Sequence, residues 1–244
     1  VAGDPGGVMQ HGSVGMMAHS EIVLASRSPR RRELLGLTGW QVEIQSVDID
    51  EEEQGGDTPV EIVLRVAQAK LAAAREAFPQ AARILTADTI VADGERILGK
   101  PQDQQGAYQM LKVLGGREHQ VITAVGLYDR TSDRIDTETC RTQVPMRAYG
   151  DDEIHAYVAT GSPLDKAGAY GIQDVFFNPV CLDLMKGCFA NVMGLPLCTL
   201  IRMTAETGLN PRADIPEVCQ RYNRYNCSVY AQILRGEACE KSTS

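Results

Sequence analysis

The sequence contains no apolar run approaching the ~18 residues that a membrane-spanning helix needs. Its first twenty residues, VAGDPGGVMQHGSVGMMAHS, hold neither a basic n-region nor an apolar h-region, so they do not read as a secretory signal. Their glycines predict a disordered leader over 1–20, with Met16 or Met17 as the expected translation start. Seven cysteines, at 140, 181, 188, 198, 219, 227 and 239, include no C-x-x-C pair, and the four histidines are scattered. Zinc-ligand spacing is therefore missing, and reduced cysteines in a cytoplasmic protein are expected. Basic excess is missing as well: 32 acidic against 24 basic residues give a formal charge of −8 and a pI near 5.1. That balance argues against a general duplex-binding surface. G-x-S-x-G and H-E-x-x-H are absent, which removes serine-hydrolase and zincin chemistry. GERILGK, at 94–100, has the spacing of a P-loop, but Pro101 follows where a Mg²⁺-binding hydroxyl and a backbone N–H are needed.

Against that acidic background, LASRSPRRRELL at 24–35 concentrates three arginines. Ser28 fits a helix N-cap, Pro29 the first helical position, and Leu34, Leu35 and Leu37 an apolar face. Arg30, Arg31 and Arg32 then fall in the first turn, where the helix dipole already places about half a positive charge. Cations are disfavoured there unless an anion offsets them. Helix-end N–H groups, the Ser26 and Ser28 hydroxyls and two or three guanidiniums together make a polyanion site. The plainer alternative is a solvated face paired with Asp48, Asp50 or the glutamates at 51–53. The strand and the serine–proline frame ahead of the arginines favour the anion site.

The rest of the chain alternates strands and helices. EIVLA (21–25) predicts a buried strand, followed by a helix from Pro29 to about Thr38 and the strand WQVEIQSV. An acidic loop, 48–57, precedes a capping box of Thr58, Pro59 and Glu61 that opens a helix to about Phe78. RILTADTIVADGERIL predicts two strands joined at Asp93-Gly94. A helix from about Gln104 leads to a long hairpin turning near Ser132-Asp133 and a short helix from Asp151 to Thr160. DKAGAYGIQ reads as a loop, strands follow up to Lys186-Gly187, and GLPLCTLIRMTAETG reads as a helix. This order predicts a mixed rather than purely parallel sheet. In the segment 209–244, Val218, Tyr222, Tyr225, Val229 and Ile233 predict the apolar face of one docking helix, followed by a tail.

Asp88 closes the apolar run ILTA. A carboxylate there, beside a bound triphosphate, can hold a divalent cation and help activate water. A turn residue is the plainer alternative. Lys70 and Lys100 carry no signal individually, since lone lysines are mostly surface residues.

Taken together, LASRSPRRRELL, RVAQAKLAAA, TADTIV, LGKPQD, HQVITAVGLY, PLDKAGAYGIQ and VMGLPL appear in an order and spacing that resemble the Maf proteins, over about 21–208. These are nucleoside triphosphate pyrophosphatases with a fold related to the inosine triphosphate pyrophosphatases. The resemblance implies an elongated α/β molecule with a mixed, strongly twisted sheet, flanking helices and a central cleft between two lobes. It implies hydrolysis between the α- and β-phosphates to a nucleoside monophosphate and pyrophosphate. Asp88 would accept the proton from water beside a divalent metal, with Glu51 assisting at the metal. Ser26, Arg30, Arg31, Lys70 and Lys100 would bind the triphosphate, and Arg31, Thr89 and Gln173 would set base selectivity. Arg30-Arg31, Asp88-Thr89 and KAGAYGIQ resemble the branch that cleaves dTTP and UTP, with modified pyrimidine triphosphates as further candidates. Mg²⁺ is the expected metal, with Mn²⁺ or Co²⁺ as alternatives, and a homodimer is a further expectation from the family. Asp174 stands where the family usually has glycine. The alternatives are a non-catalytic nucleotide-binding regulator of cell division or septation, and a 7-methyl-GTP pyrophosphatase. A nucleotide substrate is thus expected, with neither nucleic acid nor membrane as partner.

Overall fold

A computed structural model of the protein describes residues 20–49 and 57–238. The expected leader and Glu51 lie outside the described residues. Strand β1 (Ile22–Ala25) is buried along its whole length, with Ile22 and Leu24 in the main core and Ala25 in a second cluster on the other face of the sheet. Helix α1 (Pro29–Gly36) follows. Ser28 Oγ accepts from the Arg31 backbone N–H, Pro29 occupies the first turn, and Leu34 and Leu35 point into the core. The helix stops at Gly36, two residues short of expectation, and Leu37 caps it. Strand β2 (Val42–Gln45) returns parallel to β1.

Helix α2 (Pro59–Ala77) starts at the expected capping box, with both reciprocal Thr58–Glu61 bonds made. Val63, Val66, Ala67, Leu71 and Ala74 form its buried stripe. Strand β3 (Arg83–Asp93) and β4 (Arg96–Leu98) meet at Gly94, and β5 (Glu118–Asp129) and β6 (Arg134–Pro145) form the long hairpin. Between these pairs, α3 (Gln104–Leu114) is capped by Asp103. The sheet order is β2-β1-β3-β5-β6, with β4 also on β3. Pairs β1–β2 and β1–β3 are parallel and the others antiparallel, giving the mixed sheet.

The register leaves a gap. One edge of β3 pairs with β5 from Arg83 to Ala92. The other edge is shared: β1 covers Ile84 and Leu85, and β4 covers Val91 to Asp93. Residues 86–90 therefore have no strand partner on that side. On one side of the gap lie β1, β2 and α1. On the other lie β4, α3, α4 (Asp151–Ala159) and the short 3₁₀ turns Ser162–Asp165 and Ala167–Ala169. Side chains of β3 alternate across the sheet. Ile84 and Ile90 pack in clusters with α2 residues, whereas Leu85, Ala87 and Val91 belong to the main core with α1 and α3 residues.

Three expectations change. Residues 174–187 form no strands; single bridges, Met146 with Val180 and Gln143 with Lys186, tie this segment to the end of β6. Pro179, with no N–H, and Gly187, at φ +136°, interrupt any longer ladder. Second, beyond α5 (Phe189–Val192) and α6 (Leu197–Ala205), the extension holds two helices, α7 (Ile215–Asn223) and α8 (Tyr230–Leu234). Arg224 takes a left-handed φ of 49° and breaks the face that the spacing had made continuous. Ile215, Val229 and Ile233 nevertheless reach the core, and α7 and α8 both pack on α6. Third, Cys140, buried on β6, is disulfide-bonded, whereas Cys181, Cys188, Cys198, Cys219 and Cys227 are free thiols. Among the described residues no helix is long and apolar enough to cross a membrane.

Candidate active site

The gap in β3 opens into a cleft of about 910 Å³. Ser26, Arg30, Arg31, Lys70, Asp88, Thr89, Lys100 and Gln173 all line it, so residues up to 147 positions apart in the sequence meet in one place. Among the described residues, seven arginines and lysines and four aspartates line the cleft, an excess of three positive charges within that set on a chain of −8. Low-dielectric walls focus such a field, which draws in polyanions.

Asp88 and Thr89 are neighbours on β3 and so face opposite sides of the sheet. Towards α2, Lys70 Nζ donates to Asp88 Oδ1 at 2.7 Å, with both side chains less than one-fifth exposed. On the other side, Thr89 Oγ1 accepts from Arg31 Nη2 at 3.0 Å and lies 2.9 Å from Thr123 Oγ1. Thr123 gives its one hydroxyl proton to the Asn191 carbonyl at 3.1 Å, so Thr89 must donate to Thr123. The relay thus runs in one direction, from Arg31 through Thr89 and Thr123 to Asn191. Asn191 is fully buried and holds the relay's end by donating to Val121 O and Thr142 Oγ1.

Arg31 is further fixed by donation to Gly194 O at 2.9 Å and to Ser26 Oγ at 3.3 Å. Gly194 sits at φ +104°, and an added Cβ would lie 3.2 Å from Thr89 Oγ1 and 3.3 Å from Arg31 Nε. The VMGLP block is therefore a backbone seat for this guanidinium. Arg30 reaches across the cleft to Asp165 at 3.2 Å. Burial opposes the Asp165 charge, but Lys166 and Arg30 outweigh it and hold the carboxyl below its usual value. Arg32 is exposed and does not line the cleft. Lys100 stands at the far rim. Its loop is stitched by the bond from Gly168 N–H to Gly99 O at 3.0 Å.

The turn Gly171–Asp174 carries Gln173. Asp174 anchors it: its carboxylate accepts from the Tyr157 hydroxyl and from Ser162 Oγ at 3.1 Å. Burial and that adjacent carboxylate push the Tyr157 hydroxyl up, so it remains a donor. Asp174 thus ties the turn to α4.

Sequence reasoning missed Arg65 and the partners behind Arg31. Arg65 lines the cleft from α2, ion-paired with Asp57, and gave no signal of its own in the sequence. Thr123 and Asn191 gave no local signal, because their role exists only once β5 and α5 pack together. No group of three or more His, Cys, Asp or Glu is placed to hold a metal among the described residues. A single carboxylate facing a phosphate site nevertheless suits a hard divalent cation, which takes one or two carboxylates and completes its shell from phosphates and water.

Residues 21–207 match the family described as Maf-like protein. A protein named dTTP/UTP pyrophosphatase from Dehalococcoides mccartyi (strain ATCC BAA-2100 / JCM 16839 / KCTC 5957 / BAV1) is 42% identical over 192 residues, covering 79% of this chain and 84% of that one. A protein of the same name from Geobacter sp. (strain M21) is 46% identical over 186 residues, covering 76% and 94%. Among solved structures, the Staphylococcus aureus Ham1 protein is similar over 51% of this chain and 71% of its own, with 17% identity and a TM-score of 0.37. By the match over 21–207 and these identities, the chain belongs to the Maf family.

Proposed function

We propose that the chain hydrolyses dTTP and UTP between the α- and β-phosphates, releasing the nucleoside monophosphate and pyrophosphate. The observation that carries this reading is the Asp88–Lys70 pair at the uncovered stretch of β3, facing a cleft with excess positive charge. Two relatives more than 40% identical bear the name dTTP/UTP pyrophosphatase, which supports the substrate class.

In this reading Lys70 fixes Asp88 Oδ1, leaving Oδ2 for the proton of the attacking water. Arg30, Arg31, Lys70 and Lys100, with Ser26 beneath Arg31, hold the triphosphate. The leaving pyrophosphate gains charge as the anhydride breaks, and cations already fixed by protein partners stabilise it with little reorganisation. Arg31 is the best preorganised of them, because Gly194, Ser26 and Thr89 hold it before substrate arrives. Asp88 would hold a divalent cation, Mg²⁺ by the chemistry of its oxygen donor, and the cation would supply charge neutralisation at the phosphates. Gln173 meets the pyrimidine.

Steady-state kcat/KM with dTTP, UTP, CTP and 7-methyl-GTP in the presence of Mg²⁺ tests this. The highest values are expected for dTTP and UTP. Turnover of 7-methyl-GTP alone would overturn the pyrimidine reading, and tight binding of every triphosphate without turnover would replace the enzyme by a regulator.

A further inference from the structure

The family match ends at residue 207, yet a residue beyond it bonds Gln173, which lines the cleft. Helix α7 is capped by the Asp214 side chain and held down by the buried Ile215. Its last turn touches α1 and the turn that carries Gln173. Tyr222 donates its hydroxyl proton to Glu33 Oε2 of α1 at 2.7 Å. Asn223 Oδ1 accepts from Gln173 Nε2 at 3.3 Å.

The Asn223 amide has a defined orientation, because its Nδ2 donates to Cys219 O at 2.9 Å one turn earlier. Only its oxygen is left to face Gln173. Tyr222, by donating to Glu33, pins the same helix end to α1. The contact with Asn223 calls on the Gln173 nitrogen. A primary amide has two N–H donors and one carbonyl acceptor. With the nitrogen turned to the extension, Oε1 is the atom left for a ligand.

We infer that Asn223 is a positioning residue that fixes the flip of the Gln173 amide, so that the cleft presents an acceptor to the base and selects uracil and thymine over cytosine. This rests on the reading that Gln173 meets the base. Uracil and thymine carry an N3–H donor in the middle of their pairing edge, which matches Oε1. Cytosine carries a bare N3 lone pair there, which would face Oε1 acceptor to acceptor. A site built around one hydrogen-bond polarity rejects the ligand of opposite polarity because a polar atom is left unpaired. Released from the extension, the amide can turn over and offer Nε2–H to cytosine N3.

The test compares kcat/KM for UTP and CTP in the full chain, in Asn223→Ala, in Asn223→Asp and in Gln173→Ala. Asn223→Ala is expected to lower the UTP:CTP ratio about tenfold, mostly through a gain with CTP. Asn223→Asp keeps an acceptor oxygen towards Gln173 and is expected to stay within about twofold of the original ratio. Loosening of the extension alone would lower both nucleotides together and leave the ratio unmoved. An unmoved ratio in Asn223→Ala, with a collapsed ratio in Gln173→Ala, would overturn the inference and leave the base reading standing. An unmoved ratio in both variants would overturn the base reading, and this inference with it.

Discussion

At the scale of single residues, three arginines in one helical turn have three different fates. Arg32 is solvated, Arg30 bridges the cleft to Asp165, and Arg31 is built into the wall. Only a planar fork of donors reaches Gly194 O, Ser26 Oγ and Thr89 Oγ1 together. Arg31→Lys keeps the charge and loses that fork. Its kcat/KM for UTP is expected to fall roughly 100-fold, by analogy with loss of one preorganised transition-state donor, while circular dichroism stays that of the folded protein. A fall of less than about threefold would show that charge alone suffices there. His119 offers a different test. It is buried, its Nε2 bonds the Tyr170 hydroxyl at 2.7 Å, and its Nδ1 has no partner among the described residues. Burial pulls its pKa from 6.5 down to about 4, against a small upward pull from Asp93. The unfolded chain therefore binds this proton more readily than the native one between those values. Stability is full above about pH 6.5 and falls as the pH drops towards 4, by about 3 kcal/mol in total. Urea midpoints should decline over that window, and the decline should be shallower in His119→Gln, where carboxylate titration alone remains. Equal slopes would refute the assignment to His119.

At the scale of elements, local chemistry was legible and tertiary chemistry was not. Ser28-Pro29, the Thr58–Glu61 capping box and Asp93-Gly94 each announce a boundary through their own backbone needs, and each sits where expected. Ser28→Ala removes the acceptor for the Arg31 N–H and is expected to cost about 1 kcal/mol, read from the denaturant midpoint. An unchanged midpoint would mean that packing of Leu34 and Leu35 alone sets the helix. The stretch 174–187 misled because apolar residues suggested strands, whereas Pro179 and Gly187 limit it to single bridges. The extension misled differently: its apolar spacing continues through Arg224, but the backbone turns left-handed there. Most of the cleft-lining residues were legible through family motifs, since charge alone left Lys70 and Lys100 anonymous. Thr123 and Asn191 were silent because a buried hydroxyl and amide declare themselves only by partners from β5, β6 and α5.

At the scale of the whole molecule, one topological fact organises the chemistry. Strand β3 is too long for either β1 or β4 to cover its edge, and the five uncovered residues place Asp88 and Thr89 at the floor of the cleft. Two helices then supply cations from opposite sides, α1 through Arg30 and Arg31 and α2 through Arg65 and Lys70. Under the proposed function, positive residues crowd a positive helix end because they are spaced for an anion. The direct test is product analysis of dTTP hydrolysis with Mg²⁺, by the native chain and by Asp88→Asn, resolved on an anion-exchange column. Asp88→Asn keeps a hydrogen-bonding side chain of the same shape but removes the proton acceptor, and general-base loss alone costs about 10²–10⁴-fold. dTMP and pyrophosphate in equal amounts from the native chain, with at least a 100-fold slower release from the variant, is the predicted result. dTDP and orthophosphate, or an undiminished rate in the variant, would contradict it.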